Sequence, residues 1–143
     1  MIRGREYVSL CEVLPAVTAL KKQNNQALIA IVDDDQSFRE ALDGLLTLIG
    51  FRTAVFASAR NFLDSPQFPS VSCVILDISM PEMDGLELQR HLVATHPIPI
   101  IFITDLRDAK TREQAVQAGA IRFLNKPVRE ETLIEALNSA LRA

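Results

Sequence analysis

Short apolar runs alternate with amphipathic stretches from residue 27 onward. Five runs have the length of strands, and the segments between and after them carry apolar residues at helical spacing. The pattern predicts strands over 27–32, 52–56, 71–76, 100–103 and 121–124. It predicts helices over about 38–49, 59–63, 85–95, 110–118 and from 130 to near the end. This alternation is typical of βα repeats and of a parallel sheet that is covered on both faces.

The handedness of the connections limits how these strands can be ordered. Crossovers between parallel strands are almost always right-handed, so helices on both faces require the strand order to reverse within the sheet. The simplest five-strand solution is an α/β fold with a doubly wound, flavodoxin-like sheet in the order 2-1-3-4-5. Its ligand crevice would lie between the first and third strands. We assign residues 27–143 to this domain.

Residues 1–26 form an N-terminal extension in this interpretation. Apolar residues recur there with partial helical spacing, and a polar stretch over 21–26 joins the extension to the domain. A partner helix, a disordered tail and translated sequence upstream of the true start all fit. Glu12 and Pro15 interrupt the apolar run, which argues against a signal peptide.

Composition narrows the functional classes. The 143 residues are 48% hydrophobic and carry a net charge of −3, which predicts a domain with a true core and no basic surface for nucleic acid. The apolar runs are too short for a membrane helix. Cys11 and Cys73 have neither metal nor redox spacing, and this cysteine usage favours a cytoplasmic protein. The sequence ends at Ala143 just after the fifth helix, which fits a single-domain protein or a piece of a longer one.

Charged and polar residues follow the predicted strands at the point where each strand ends. Asp33 and Asp34 follow the first run, Asp77 the third and Lys126 the fifth, while Thr104 ends the fourth. Because the carboxyl ends of parallel strands meet at one edge, we expect these side chains to converge. Asp35, the next acid, is expected to face solvent or to cap the first helix.

Such an acidic cluster (Asp33, Asp34 and Asp77) needs a cation. Two carboxylates about 4 Å apart repel by about 4 kcal/mol at an effective dielectric constant of about 20. Hard oxygen ligands select Mg²⁺, with Mn²⁺ or Ca²⁺ as substitutes. An aspartate beside the ion can attack phosphorus, and Asp77 is the best candidate. Lys126 would neutralise the phosphoryl oxygens and the Thr104 hydroxyl would donate to one of them.

These motifs resemble the receiver domain of bacterial two-component response regulators, of the FixJ-like kind. The resemblance covers residues 27–143 and rests on four motifs in matching order. They are Asp33-Asp34, Asp77 with the later Met80-Pro81-x-Met83-x-Gly85, Thr104, and Lys126-Pro127.

The resemblance implies a signalling switch that catalyses only its own phosphorylation and hydrolysis. A sensor histidine kinase would phosphorylate Asp77, with magnesium held by Asp34, by Asp33 partly through water, by Asp77 and by the backbone carbonyl of Ser79. Thr104 and Phe123 would then move, changing the surface of helix 4, strand 5 and helix 5 that a partner or a second copy binds. The bond between Lys126 and Pro127 is expected to be cis.

Two alternatives remain open at this point. In the family the residue after the threonine is usually small, whereas here it is Asp105, whose charge would oppose an incoming phosphate unless Arg107 or Arg112 pairs with it or it points outward. A degenerate receiver that binds proteins without phosphate is therefore one alternative. The other alternative is a phosphatase of the haloacid dehalogenase type. That family has a second aspartate two positions after the nucleophile, and the presence of Ser79 at this position argues against it.

Overall fold

The computed structural model describes residues 27–142, and their elements follow the predicted alternation. The strands are β1 Leu28–Val32, β2 Arg52–Phe56, β3 Cys73–Leu76, β4 Ile100–Thr104 and β5 Arg122–Asn125. The helices are α1 Gln36–Ile49, α2 Ala59–Leu63, α3 Gly85–Thr95, α4 Ala109–Gln117 and α5 Glu130–Arg142. The predicted extension over 1–26 lies outside the described residues.

All five strands are parallel and lie in the order β2-β1-β3-β4-β5, which confirms the predicted doubly wound sheet. Alternate residues of the central strands supply two apolar clusters. In β1, Leu28, Ala30 and Val32 belong to one cluster, and Ile29 and Ile31 belong to the other. Helices α2, α3 and α4 cover the first cluster, and α1 and α5 cover the second. Every residue of β1 is buried, because both faces of the sheet are covered.

Local sequence signals set the helix boundaries. The Asp35 carboxylate accepts a hydrogen bond from the backbone N–H of Phe38, which confirms Asp35 as the cap of α1. Gly50 ends α1 with a φ of 119°, in the left-handed region that glycine enters readily. Asp84 and Glu87 form a reciprocal capping box at the start of α3.

Four of the five strands differ from prediction at their ends, and β1 begins at Leu28 rather than 27. β3 begins at Cys73 rather than 71, and a 3-10 helix over Phe68–Ser70 precedes it by two residues. β4 includes Thr104 and β5 is shifted by one residue, because Thr104 pairs with Asn125 and lengthens the ladder. Within residues 27–142, no helix combines the length and the apolar character needed to cross a membrane.

Candidate functional site

The register between β1 and β3 brings two aspartates to the same edge of the sheet. Val32 pairs with Leu76, so Asp33 and Asp77 leave the two strands side by side. The Asp77 N–H still donates to the Val32 carbonyl at 3.1 Å, which fixes where the acid leaves the sheet. Asp33 and Asp77 are buried, with 1% and 6% exposure, while Asp34 is exposed.

The three acids converge as predicted. One carboxylate oxygen from each of Asp33, Asp34 and Asp77 lies within 4.8 Å of the others. The Oδ1 atom of Asp33 accepts a hydrogen bond from the Asp35 N–H at 2.8 Å. The Oδ1 atom of Asp77 is buried and accepts no hydrogen bond from the described part of the chain. An unsatisfied buried carboxylate oxygen is costly, so this atom calls for a ligand.

Lys126 reaches the acidic cluster from the turn after β5. Its Nζ atom lies 2.8 Å from Oδ2 of Asp33 and 3.6 Å from Oδ2 of Asp77. The lysine backbone is held from both sides, since its N–H donates to the Thr104 carbonyl and its carbonyl accepts from Arg107. The peptide bond between Lys126 and Pro127 is cis, as the family resemblance implied.

Burial and ion pairing shift the pKa values of Asp33 and Lys126 in opposite directions. Burial raises the pKa of Asp33, although the hydrogen bond from Lys126 and the backbone of Asp35 act in the other direction. Burial by itself lowers the pKa of Lys126, but the hydrogen bond to Asp33 and the charges of Asp77 and Asp105 outweigh it, so that pKa is raised. The ammonium therefore remains charged at neutral pH.

The donor set fits a hard divalent cation. One ammonium against three carboxylates leaves two formal negative charges, and the free Oδ1 of Asp77 supplies an oxygen ligand. Mg²⁺ prefers such oxygens and usually retains several waters, which the exposed side of Asp34 permits. Ser79 lies two residues after Asp77 in the same loop and is exposed, and the role of its carbonyl stays a prediction.

Glycine permits the loop after β3 to fold tightly. The Gly85 N–H donates to the Ile78 carbonyl at 2.8 Å, which brings the start of α3 onto the residues that follow the strand. A Cβ atom at position 85 would overlap the carbonyl oxygen of Asp77 and crowd the Cα of Ile78. Glycine at position 85 thus allows α3 to start directly against the backbone of Asp77.

The two predicted switch residues lie on the strands next to the acidic cluster. Thr104 is fully buried, and its Oγ1 accepts a hydrogen bond from the Leu106 N–H at 3.2 Å. A hydroxyl that accepts one hydrogen bond still has a proton to donate. The Phe123 side chain is buried, with 4% exposure. Its ring centroid lies 6.0 Å from the ring centroid of Phe102 and 5.6 Å from the guanidinium carbon of Arg112.

Asp105 is exposed, and the ion pairs of residues 27–142 include none between Asp105 and Arg107 or Arg112. Arg107 donates to the carbonyl of Lys126, while Arg112 covers Phe123. The carboxylate is close enough to Lys126 to raise the pKa of the lysine. The negative charge anticipated from the sequence therefore stands at the entrance of the site.

Sequence reasoning missed the contact between Phe38 and the lysine. The Phe38 ring centroid lies 4.3 Å from Nζ of Lys126. Helical periodicity assigned Phe38 to the apolar face of α1, and nothing in that pattern indicates which residue of another element it meets. Phe38, Asp105 and Lys126 also border a surface groove of about 350 Å³ between α1 and the start of the turn to α5.

A family model for the response regulator receiver domain matches residues 29–138. The chain belongs to this family. It is 44% identical over 120 residues to the response regulator protein TmoT of Ectopseudomonas mendocina, covering 83% of this chain and 54% of TmoT. The chain thus spans about half the length of this curated relative.

Solved receiver structures agree with the sheet order and its helices. The response regulator StyR superposes with a TM-score of 0.74 at 42% identity, covering 81% of this chain and 59% of StyR. The FixJ-N structure gives a TM-score of 0.72 at 35% identity, covering 81% of this chain and 94% of that one. These matches confirm the FixJ-like receiver resemblance. Response regulators are signalling proteins, so the phosphatase alternative has no support.

Proposed function

We propose that this receiver accepts a phosphoryl group on Asp77 from the phosphohistidine of a sensor histidine kinase. The observation that carries the proposal is the buried Oδ1 of Asp77, which has no hydrogen-bond partner within residues 27–142 and sits beside an ammonium and two further carboxylates. In the reaction a bond forms between an Asp77 oxygen and phosphorus while the bond from phosphorus to the histidine nitrogen breaks.

A bound cation and Lys126 would both neutralise charge around Asp77. Asp33, Asp34, Asp77 and the Ser79 carbonyl would hold Mg²⁺, for which Mn²⁺ or Ca²⁺ could substitute. When bound, the cation would neutralise phosphoryl oxygens and so lower the barrier to transfer. Lys126 provides a second positive charge from the carboxyl end of β5. Its ion pair with Asp33, 2.8 Å long, holds the ammonium close to the acceptor before phosphate arrives.

Thr104 and Phe123 would couple the phosphoryl group to a distant surface. The Thr104 hydroxyl has a proton to donate, and turning it toward the phosphoryl group would disturb its contact with Leu106 at the start of the β4–α4 connection. Phe123 lies on the neighbouring strand β5, with the Arg112 guanidinium of α4 over its ring. We infer that the α4–β5–α5 surface changes in response and binds an output partner or a second copy of the chain.

A phosphate-independent receiver is the second candidate, and the exposed charge of Asp105 favours it. Either way the chain would act in the cytoplasm by binding proteins, without direct nucleic-acid or membrane contact of its own. Beryllium fluoride, a phosphoryl mimic, separates the two: a phosphate-driven switch binds it with Mg²⁺ and shifts NMR signals of α4 and β5, whereas a degenerate receiver does not.

The decisive experiment for the proposed function is intact mass spectrometry after incubation with acetyl phosphate and Mg²⁺. We expect the mass gain of one phosphoryl group in the wild-type chain, its loss on addition of a chelator, and no gain in Asp77→Asn. Equal modification of the wild type and Asp77→Asn would contradict the assignment of Asp77.

A further inference from the structure

The ammonium of Lys126 is enclosed by two kinds of neighbour. Carboxylate oxygens of Asp33 and Asp77 lie at 2.8 and 3.6 Å from Nζ, and the Phe38 ring centroid lies at 4.3 Å. The lysine side chain is only 11% exposed. Hydrogen bonds to Thr104 and Arg107 fix the lysine backbone. The position of the ammonium therefore depends on the rotamer of the lysine side chain.

An aromatic ring and a carboxylate act on an ammonium in different ways. The face of a phenyl ring attracts a cation through its quadrupole, but it offers no strong acceptor for an N–H group. It also excludes water from the volume that it occupies. With Phe38 in place, the ammonium is therefore held near the ring while its N–H donors remain available to oxygen atoms of the site.

We propose that Phe38 is a positioning residue for phosphoryl transfer, which holds the Lys126 ammonium over the acidic cluster through contact with its ring face. The inference rests on the proposed function and adds to it a residue of α1. Removing the ring would let water solvate the ammonium and let the side chain sample other rotamers. The ammonium would then spend less time in the position that contacts the incoming phosphoryl group, and phosphoryl transfer would be slower.

Phe38 also packs against the apolar cluster beneath α1 and α5. A test must therefore separate this packing role from the positioning of Lys126. The matched control is Leu45, which lies two turns further along α1, is half-buried and lines the same groove. Leu45→Ala removes apolar volume from this face and leaves the ring beside the ammonium.

The contact itself can be measured without phosphate or metal. The chain has four lysines, so their ε-methylene signals are readily separated by NMR; they are Lys21, Lys22, Lys110 and Lys126. The ring current of Phe38 should shift the Lys126 signal away from the other three. We expect Phe38→Leu to abolish this shift, and Phe38→Tyr and Leu45→Ala to retain it. A Lys126 signal that Phe38→Leu does not move would overturn the inference.

The functional effect is measured as the rate of phosphorylation by acetyl phosphate with Mg²⁺. We expect Phe38→Leu to slow it about two- to fivefold, the range that a cation–π contact of this kind supports. Phe38→Tyr, which keeps a ring, should restore the rate to within about twofold, and Leu45→Ala should leave it unchanged. Should Phe38→Leu not fold, Phe38→Met keeps a flexible apolar chain and gives the same comparison.

A double-mutant cycle shows whether Phe38 acts through the lysine. In a Lys126→Met background, Phe38→Leu should cause no further loss of affinity for beryllium fluoride with Mg²⁺. An undiminished effect in that background would show a structural role and reject the inference. The proposed function fails separately, by absence of phosphoryl uptake in the wild type. Uptake that Phe38→Leu does not slow would reject only the role of Phe38.

Discussion

The ammonium nitrogen of Lys126 lies 2.8 Å from the Oδ2 atom of Asp33, and both side chains are largely buried. Breaking such a pair leaves a carboxylate without its counter-charge beside two others. We expect Lys126→Met to lower the free energy of unfolding by about 1–3 kcal/mol in the absence of divalent cations, as measured by urea denaturation. Adding Mg²⁺ should recover part of the loss, because the cation replaces the missing positive charge.

Lys110→Met provides the control for this variant. Lys110 is exposed on α4, so the same change of side chain there should alter stability by no more than about 0.5 kcal/mol. Equal effects at positions 110 and 126 would mean that the ion pair with Asp33 contributes nothing to stability.

Asp33 should make stability depend on pH. Burial raises its pKa above the ordinary value of 3.8, so the folded chain binds more protons than the unfolded chain between those two values. The contribution of Asp33 is therefore present below pH 3.8 and is lost as the pH rises through the folded pKa. Urea denaturation at a series of pH values above 3.8, without divalent cations, should show the wild type losing stability relative to Asp33→Asn as the pH rises through the folded pKa. Parallel profiles would contradict this assignment.

The convergence of Asp33 and Asp77 could be predicted because each aspartate directly follows an apolar run. Once the runs are neighbouring parallel strands, the register that pairs Val32 with Leu76 puts both acids at one edge. Lys126 follows from the same argument. These side chains are fixed by backbone geometry, which hydrophobic periodicity reports well.

Contacts between the side chains of different elements could not be predicted in this way. Periodicity assigned Phe38 to a buried face but could not tell that the ring meets Lys126. Gln89 is only 2% exposed, and its amide donates to the Ala115 carbonyl, linking α3 to α4. A glutamine on a helix gives no sequence signal for such a bond, because most are solvated.

Two glycine positions should respond in opposite ways to alanine. At position 85 a Cβ atom would collide with the carbonyl of Asp77, so the loop after β3 has to move. We expect Gly85→Ala to destabilise the fold by about 1–3 kcal/mol and to weaken Mg²⁺ binding. At position 44, in α1, nothing lies within 4 Å of an added Cβ, and Gly44→Ala should stabilise by about 0.5–1 kcal/mol.

Thermal denaturation measures both glycine variants, and calorimetric titration with Mg²⁺ measures binding. A Gly85→Ala variant that retained wild-type stability and metal affinity would show that the close approach of α3 to Asp77 is unnecessary for the site.

The exposed carboxylate of Asp105 should oppose small anionic phosphodonors. It lies near Lys126 at the mouth of the site, and neither Arg107 nor Arg112 is engaged with it. A like charge at this range raises the free energy of an approaching phosphate by an amount that solvent and salt reduce. We expect Asp105→Ala to be phosphorylated by acetyl phosphate about two- to tenfold faster than the wild type at low ionic strength.

The control for charge alone is Glu113→Ala, which removes one negative charge from the exposed side of α4. It should change the phosphorylation rate less than Asp105→Ala does, since only Asp105 borders the groove beside Lys126. Raising the ionic strength should shrink the advantage of Asp105→Ala, because salt screens exposed charges. Rates that match the wild type at low salt would show that Asp105 does not restrict access, and the argument for a phosphate-independent receiver would lose its basis.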